Sequence, residues 1–300
     1  MIYTVTFSPA IDYVVYMDDL KQGETNRSKR ETYYFGGKGI NVSTVLSRLN
    51  VKNTAMGFVS GFTGQALEEG LCEAGLDTDF VHLEEGITRI NIKIKTDQET
   101  EINAQGAAIP KEKLEELLGK LDALSQGDTL IVSGNVPNTL PKDIYETMLA
   151  RLDGRGIRLV ADATGPLLKK ILKYRPFLIK PNKRELEELT GGEIRTEQEL
   201  AVRAKALQDQ GARNVLVSLG ADGAYLLCED GISYRREAIE VKAVNTVGAG
   251  DSMIAGFLAG YLKNGDYRCA LRLGVAAGAA TACSEGLAEK ETIMELFQNN

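Results

Sequence analysis

The chain has 300 residues, 43% of them hydrophobic, enough to bury one large core. Its 35 Lys and Arg stand against 42 Asp and Glu, a formal net charge of −7. That balance argues against a nucleic-acid or anionic-membrane surface as the main partner, because such surfaces need clustered cations. One histidine, His82, and four cysteines without a CxxC pair nearly exclude a Ser-His-Asp triad and a multi-His metal site.

Met1 opens directly onto the strand-like "MIYTVTFSPAID", with no basic and apolar leader before it. No window approaches ~18 consecutive apolar residues, so no spanning helix is expected. Buried thiols in a reducing cytoplasm are the plain reading of Cys72, Cys228, Cys269 and Cys283.

"YVVYM" (13–17) and "SKRETYYF" (28–35) read as two strands. "FGGKGIN" (35–41) then leads into a helical "VSTVLSRL". Gly36 and Gly37 admit a ligand close to the backbone, Lys38 supplies a cation, and Asn41 offers donor and acceptor near a helix start. A plain glycine turn is the alternative. The stretch is not a Walker A loop, because Gly39 follows the lysine.

"TRINIKIK" (88–95) alternates, with Ile90, Ile92 and Ile94 on one face and Asn91, Lys93 and Lys95 on the other. This is the pattern of a half-exposed strand, and "QETEINAQ" after it completes a hairpin. Segments from about 11–35 and 88–106 together form a small lid sheet inserted in a single domain of residues 1–300. An apolar edge or face on such a lid invites a second subunit.

From about residue 128, "TLIVSG", "IRLVADA", "PFLIKPN" and "NVLVSLG" are apolar without alternation and are separated by helical stretches. One is "PKDIYETMLARLDG", with Pro141 suited to a first helical turn. The fold class is α/β with a doubly wound, mostly parallel sheet covered on both faces. Ligands bind such sheets at the carboxyl ends of the strands, where Ser133, Asp162, Asn182 and Ser218 fall.

Three further stretches could carry chemistry. In "IKPNKRELEEL" (179–189), Asn182 and Glu185 make either a capping box or a contact with Mg²⁺ through its waters. "VSLGADGAYLL" (217–227) is a hairpin that lines a nucleotide pocket or merely turns. In "VNTVGAGDSMIAGFLAG" (244–260), Gly248, Ala249 and Gly250 aim backbone N–H groups at one point, where charge on a transferring phosphoryl group would be stabilised. Asp251 would be a general base, worth about 10²–10⁴-fold. Otherwise it complements the helix dipole, worth about 0.3–1 kcal/mol.

GGKGIN, KPNKRE and NTVGAGDSMIAGFLAG, in that order, resemble the ribokinase-like (PfkB) family of carbohydrate kinases over nearly all of residues 1–297. The resemblance implies an αβα sandwich with a small β-sheet lid and a homodimer formed through the lid. It implies Asp251 as the base and Gly248, Ala249 and Gly250 as the anion hole. Asp12, Arg27, Gly36, Gly37, Lys38, Asn41, Arg89 and Asn103 would contact the sugar. Lys180, Asn182, Ser218, Gly220, Gly223, Gly278 and Ser284 would lie along ATP, with Glu185 reaching Mg²⁺ through water.

The likeness is nearest to the branch that phosphorylates sugars already carrying a phosphate, through "TFSPAIDY", Asn26-Arg27 and "TRINIKIK…ETEIN". It implies ATP-dependent transfer to O6 of fructose 1-phosphate, with tagatose 6-phosphate and fructose 6-phosphate as alternative acceptors. Lys38, Arg27 and Arg89 would pair the sugar's phosphate, Arg in bidentate fashion. Ser8, Asn135 and Asn245 depart from the family pattern. A sugar-phosphate sensor without catalysis is the reading from another class, and the intact Asp251 turn speaks against it.

Overall fold

The computed structural model describes residues 1–134 and 136–300. Strand β1 (Ile2–Thr6) lies in a large sheet, while β2 (Ala10–Tyr16) and β3 (Arg30–Gly36) leave it for a small one. Helix α1 (Lys38–Arg48) leads back to β4 (Asn53–Ser60), followed by α2 (Gly61–Glu73), β5 (Asp77–Thr78) and β6 (Val81–Leu83). The small sheet is completed by β7 (Arg89–Lys95) and β8 (Glu99–Ile102). Next come α3 (Lys111–Asp122), β9 (Thr129–Ser133), α4 (Ile144–Leu152), β10 (Arg158–Asp162) and α5 (Gly165–Ile171). Then follow β11 (Leu178–Ile179), α6 (Lys183–Thr190), α7 (Glu197–Asp209), β12 (Asn214–Ser218), β13 (Ala224–Leu227) and β14 (Ser233–Arg236). Three helices close the chain: α8 (Ala249–Asn264), α9 (Tyr267–Ala282) and α10 (Lys290–Asn299).

The large sheet runs β14-β13-β12-β11-β10-β9-β1-β4-β5, with β6 on β4. It is parallel from β12 to β5 and antiparallel at β13 and β14. Its central strands are apolar on both sides because both sides are covered. Leu130 and Val132 join a core under α3 to α7, and Ile131 between them joins a second core under α1, α8, α9 and α10. The α/β class with a mostly parallel sheet and a small separate sheet is therefore as the sequence indicates. No helix among the described residues is long and apolar enough to cross a membrane.

The small sheet has the order β3-β2-β7-β8, parallel between β2 and β7 and antiparallel elsewhere. Its alternation has the polar face of β7 covered. Asn91 and Lys93 are only 6% and 9% exposed, and Lys93 lines a cavity together with Asp12 and Asn41. The opposite face carries a row, Tyr33–Tyr13–Ile92–Ile102, in register across all four strands. Tyr33 and Ile102 in that row are more than half exposed.

Other local expectations also shift. Helix α4 begins at Ile144, whose N–H donates to the Pro141 carbonyl at 3.0 Å, so Pro141 precedes the helix instead of sitting in its first turn. The four thiols are free, but Cys72 is exposed and only Cys228 is fully buried. His82 is a surface residue 3.1 Å from Glu68.

Candidate active site

The N-termini of α1 and α8 meet at the carboxyl end of the sheet. Neither helix has a side-chain N-cap, and α1 has no acid in its first turn. The positive ends of both dipoles are therefore available to an anion, although the Ile40 N–H already donates to Thr6 Oγ1 at 3.1 Å and the Ala249 N–H to the Thr246 carbonyl at 3.3 Å. Gly37 precedes α1 with φ 126°, where a side chain would also strike Thr6. Gly248 caps α8 at φ 80°, in the left-handed region that glycine occupies without strain.

Asp251 lies in the first turn of α8 and is 5% exposed. Its Oδ2 accepts from Asn41 Nδ2 of α1 at 2.8 Å. Burial, and next the charge of Asp162, push its pKa up to about 7; Asn41, Lys38 and Lys180 pull the other way. A carboxylate poised there can hold or release a proton near neutrality.

Asp162 ends β10 and is almost fully buried. Lys38 Nζ lies 3.0 Å from its Oδ2 and Lys180 Nζ 3.3 Å from its Oδ1. Burial alone would raise this carboxyl, but the two ammonium groups outweigh it and hold the pKa below the usual value. A methyl placed on Gly250 would come 3.0 Å from Lys180 Nζ, so that cation stands over the α8 turn. Two cations share one carboxylate, leaving local positive charge where a phosphoryl group would sit. The sequence singled out Asp162 only as a strand end; its hold on both lysines comes from the neighbouring strand β11, which leads to Lys180, and from the first turn of α1, which carries Lys38.

On one side of this centre, a cavity of about 460 Å³ is lined by Thr6, Phe7, Ser8, Gly37, Lys38, Arg89, Gln105, Ser133 and the 136–139 loop, among others. Ser133 Oγ and Arg89 Nε are buried there without a protein partner. Unpaired buried polar atoms carry a cost that a polar ligand relieves. Burial lowers the Arg89 pKa, and its Nη1 donates to the Ala104 carbonyl at 3.3 Å. Asp12, beside Gly36, accepts from Asn91 at 2.8 Å.

Not every expected sugar contact converges. Arg27 is exposed in the loop joining the far ends of β2 and β3, beyond the register pair Tyr16–Arg30. Asn103 is exposed past β8, with its amide toward Glu101 at 3.5 Å. Neither lines the cavity that holds Arg89. Asn135 lies outside the described residues.

On the other side, Asn182 bridges to Ser218, and Gly220 and Gly223 shape the turn after it. Asn182 and Glu185 form a complete capping box, each bond 2.8 Å. Gly278 does not face an open pocket. It is buried in α9, where a methyl would meet the Ala249 carbonyl at 3.2 Å, so it serves the packing of α9 on α8. Ser284 turns its hydroxyl back to the Ala280 carbonyl at 2.8 Å. Among the described residues no three His, Cys, Asp or Glu cluster into a metal cage.

Known proteins resemble this chain over nearly its whole length. Residues 1–293 match the profile described as pfkB family carbohydrate kinase. A 1-phosphofructokinase of Bacillus subtilis is 44% identical over 297 residues, covering 99% of this chain and 97% of the relative. A D-tagatose-1-phosphate kinase of Bacillus licheniformis is 39% identical over 290 residues, covering 96% and 95%. The crystal structure of phosphofructokinase-2 from Escherichia coli in complex with fructose-6-phosphate superposes with a TM-score of 0.91 at 25% identity, covering 99% of this chain and 98% of that one.

Proposed function

Because this chain belongs to the pfkB family of carbohydrate kinases, we propose that it transfers the γ-phosphoryl group of ATP to O6 of D-fructose 1-phosphate, with Asp251 as general base. The product is fructose 1,6-bisphosphate. The observation that carries the mechanism is the buried Asp251 at the joined helix N-termini, facing two lysines held by Asp162.

Asp251 takes the proton of the attacking hydroxyl, and the N–H groups of Gly248, Ala249 and Gly250 receive the charge that develops on the phosphoryl oxygens. Lys38 and Lys180 neutralise the same charge, so positioning and electrostatics supply the rate. Asp12, Gly37 and Asn41 hold the sugar, and Arg89 meets its phosphate, its fork suiting two oxygens at once. Asn182, Ser218, Gly220 and Gly223 line the nucleotide. Mg²⁺ needs only one or two protein carboxylates beside nucleotide phosphates. Glu185, in the first turn of α6 beside Asn182, would be that carboxylate. The ion supplies Lewis-acid neutralisation of the phosphates when bound.

Relatives named for fructose 1-phosphate and tagatose 1-phosphate share the phosphate at C1 and differ in configuration at C4. That moves the nearest rival from tagatose 6-phosphate to tagatose 1-phosphate. The Tyr33–Tyr13–Ile92–Ile102 row, in which Tyr33, Tyr13 and Ile102 are exposed, supports a homodimer through the small sheet. Free thiols and the absence of a spanning helix among the described residues fit a cytoplasmic location.

The test is ADP release with Mg·ATP and, separately, fructose 1-phosphate, tagatose 1-phosphate, tagatose 6-phosphate and fructose 6-phosphate, compared by kcat/KM. A preference of roughly tenfold for fructose 1-phosphate, about 1.4 kcal/mol, supports the assignment. Preference for another acceptor keeps the mechanism and moves the substrate.

A further inference from the structure

The small sheet buries polar side chains where a sheet needing only cohesion would place apolar ones. Asn91 and Lys93 are 6% and 9% exposed. Parallel register sets Asn91 directly beside Asp12, and antiparallel register sets Lys93 beside Glu101. Asn91 Nδ2 donates to Asp12 Oδ1 at 2.8 Å, and Lys93 Nζ lies 3.8 Å from Asp12 Oδ2 and 3.6 Å from Glu101 Oε1. The Oδ1 of Asn91 is left buried without a partner. Burying an amide and an ammonium this way costs free energy unless each is paired, and here one pairing is incomplete.

Gly36, on the other flank of Asp12, keeps that carboxylate close, since a methyl there would stand 2.8 Å from Oδ2. Asp12 is thus hydrogen-bonded by Asn91 on one oxygen and faces the Lys93 ammonium with the other, while Gly36 leaves it room. A carboxylate offers about four lone-pair directions, so acceptor capacity is left over on the cleft side.

We infer that Asn91 and Lys93 are positioning residues that orient the Asp12 carboxylate to accept hydroxyl hydrogen bonds from the sugar phosphate. Glu101 ties Lys93 to β8, so the orientation depends on the intact small sheet. The inference rests on the proposed contact between Asp12 and the sugar. It makes the small sheet part of the acceptor site through polar side chains that themselves touch no substrate.

The test compares Lys93→Met, Lys93→Arg, Asn91→Leu, Asp12→Asn and the double variant Lys93→Met/Asp12→Asn in the full chain. Steady-state kinetics and thermal melting are the readouts. Lys93→Met and Asn91→Leu should each raise KM for fructose 1-phosphate roughly tenfold, the effect of one misplaced polar contact. KM for ATP should hold within about twofold, Lys93→Arg should recover most of the loss, and Lys93→Met should add little in the Asp12→Asn background. If Asp12→Asn raises the sugar KM but Lys93→Met and Asn91→Leu change only the melting temperature, the positioning role is overturned alone. Effects that multiply in the double variant would overturn it too. If Asp12→Asn leaves the sugar KM unchanged, the underlying contact fails and the inference with it.

Discussion

Asn41 and Asp251, 210 positions apart, are joined by a 2.8 Å hydrogen bond between the first turns of α1 and α8. The amide donates to the charged form of the carboxylate and so opposes the burial that raises its pKa. Asn41→Leu removes that donor, and the Asp251 pKa should rise above about 7. Turnover should therefore fall more at pH 6.5 than at pH 8.5, on the order of tenfold at the lower pH. A kcat-versus-pH profile checks this; a loss equal at both pH values would make Asn41 a sugar contact only.

Asp251→Asn should cut kcat by ~10²-fold or more with ATP binding nearly intact. The same change should stabilise the chain at pH 8. The native carboxyl, with a pKa of about 7 against 3.8 for the ordinary value, binds a proton that the unfolded chain has released. Stability therefore falls as pH rises from about 4 to about 7 and stays reduced above that. Removing the charge should return on the order of 2–4 kcal/mol at pH 8, with the gain vanishing toward pH 4. Thermal melts of both proteins across that range measure it.

Asp162→Asn should move the acidic limb of kcat/KM for the sugar to lower pH. The substitution removes the negative neighbour that raises Asp251 and frees Lys38 and Lys180, which lower it. All three changes have one sign, so a displacement of about one pH unit is expected. A limb that stays in place would mean that another group controls it.

The sequence made some of this legible. Continuous apolar runs such as "TLIVSG" and "NVLVSLG" specify strands covered on both faces, and the sheet contains them at β9 and β12. The glycine turns before Lys38 and Asp251 each start a helix in the structure. Two parts were not readable. A polar alternate face looks the same in sequence whether it meets water or a cleft, so the alternation of 88–95 does not reveal that Asn91 and Lys93 are covered. Of the two lysines on Asp162, Lys38 comes from α1, 124 positions away, and no local spacing encodes that meeting. A glycine that admits a ligand and one that admits a neighbouring helix have the same signature, and only substitution tells the two apart at Gly278.

Glu185 separates capping from metal binding by a pair of substitutions. Glutamine preserves the capping box, because its side-chain oxygen still reaches the Asn182 N–H. Glu185→Gln should leave the melting temperature nearly unchanged while raising the Mg²⁺ concentration for half-maximal rate several-fold. Glu185→Ala should show that effect together with a stability loss of about 0.5–2 kcal/mol. Wild-type Mg²⁺ dependence in Glu185→Gln would reduce Glu185 to its capping role.

Gly250 and Gly278 lie on opposite sides of the same turn and should fail differently when each becomes alanine. The methyl of Gly250→Ala meets Lys180 Nζ at 3.0 Å, the end of a flexible side chain. The chain can absorb it by displacing the cation, so kcat should fall roughly tenfold with little change in melting temperature. The methyl of Gly278→Ala meets the Ala249 carbonyl at 3.2 Å, backbone that cannot turn aside. Overpacking there should destabilise by about 1–3 kcal/mol while KM for ATP stays within about twofold. If Gly278→Ala instead raised KM for ATP tenfold without loss of stability, Gly278 would belong to the nucleotide site after all.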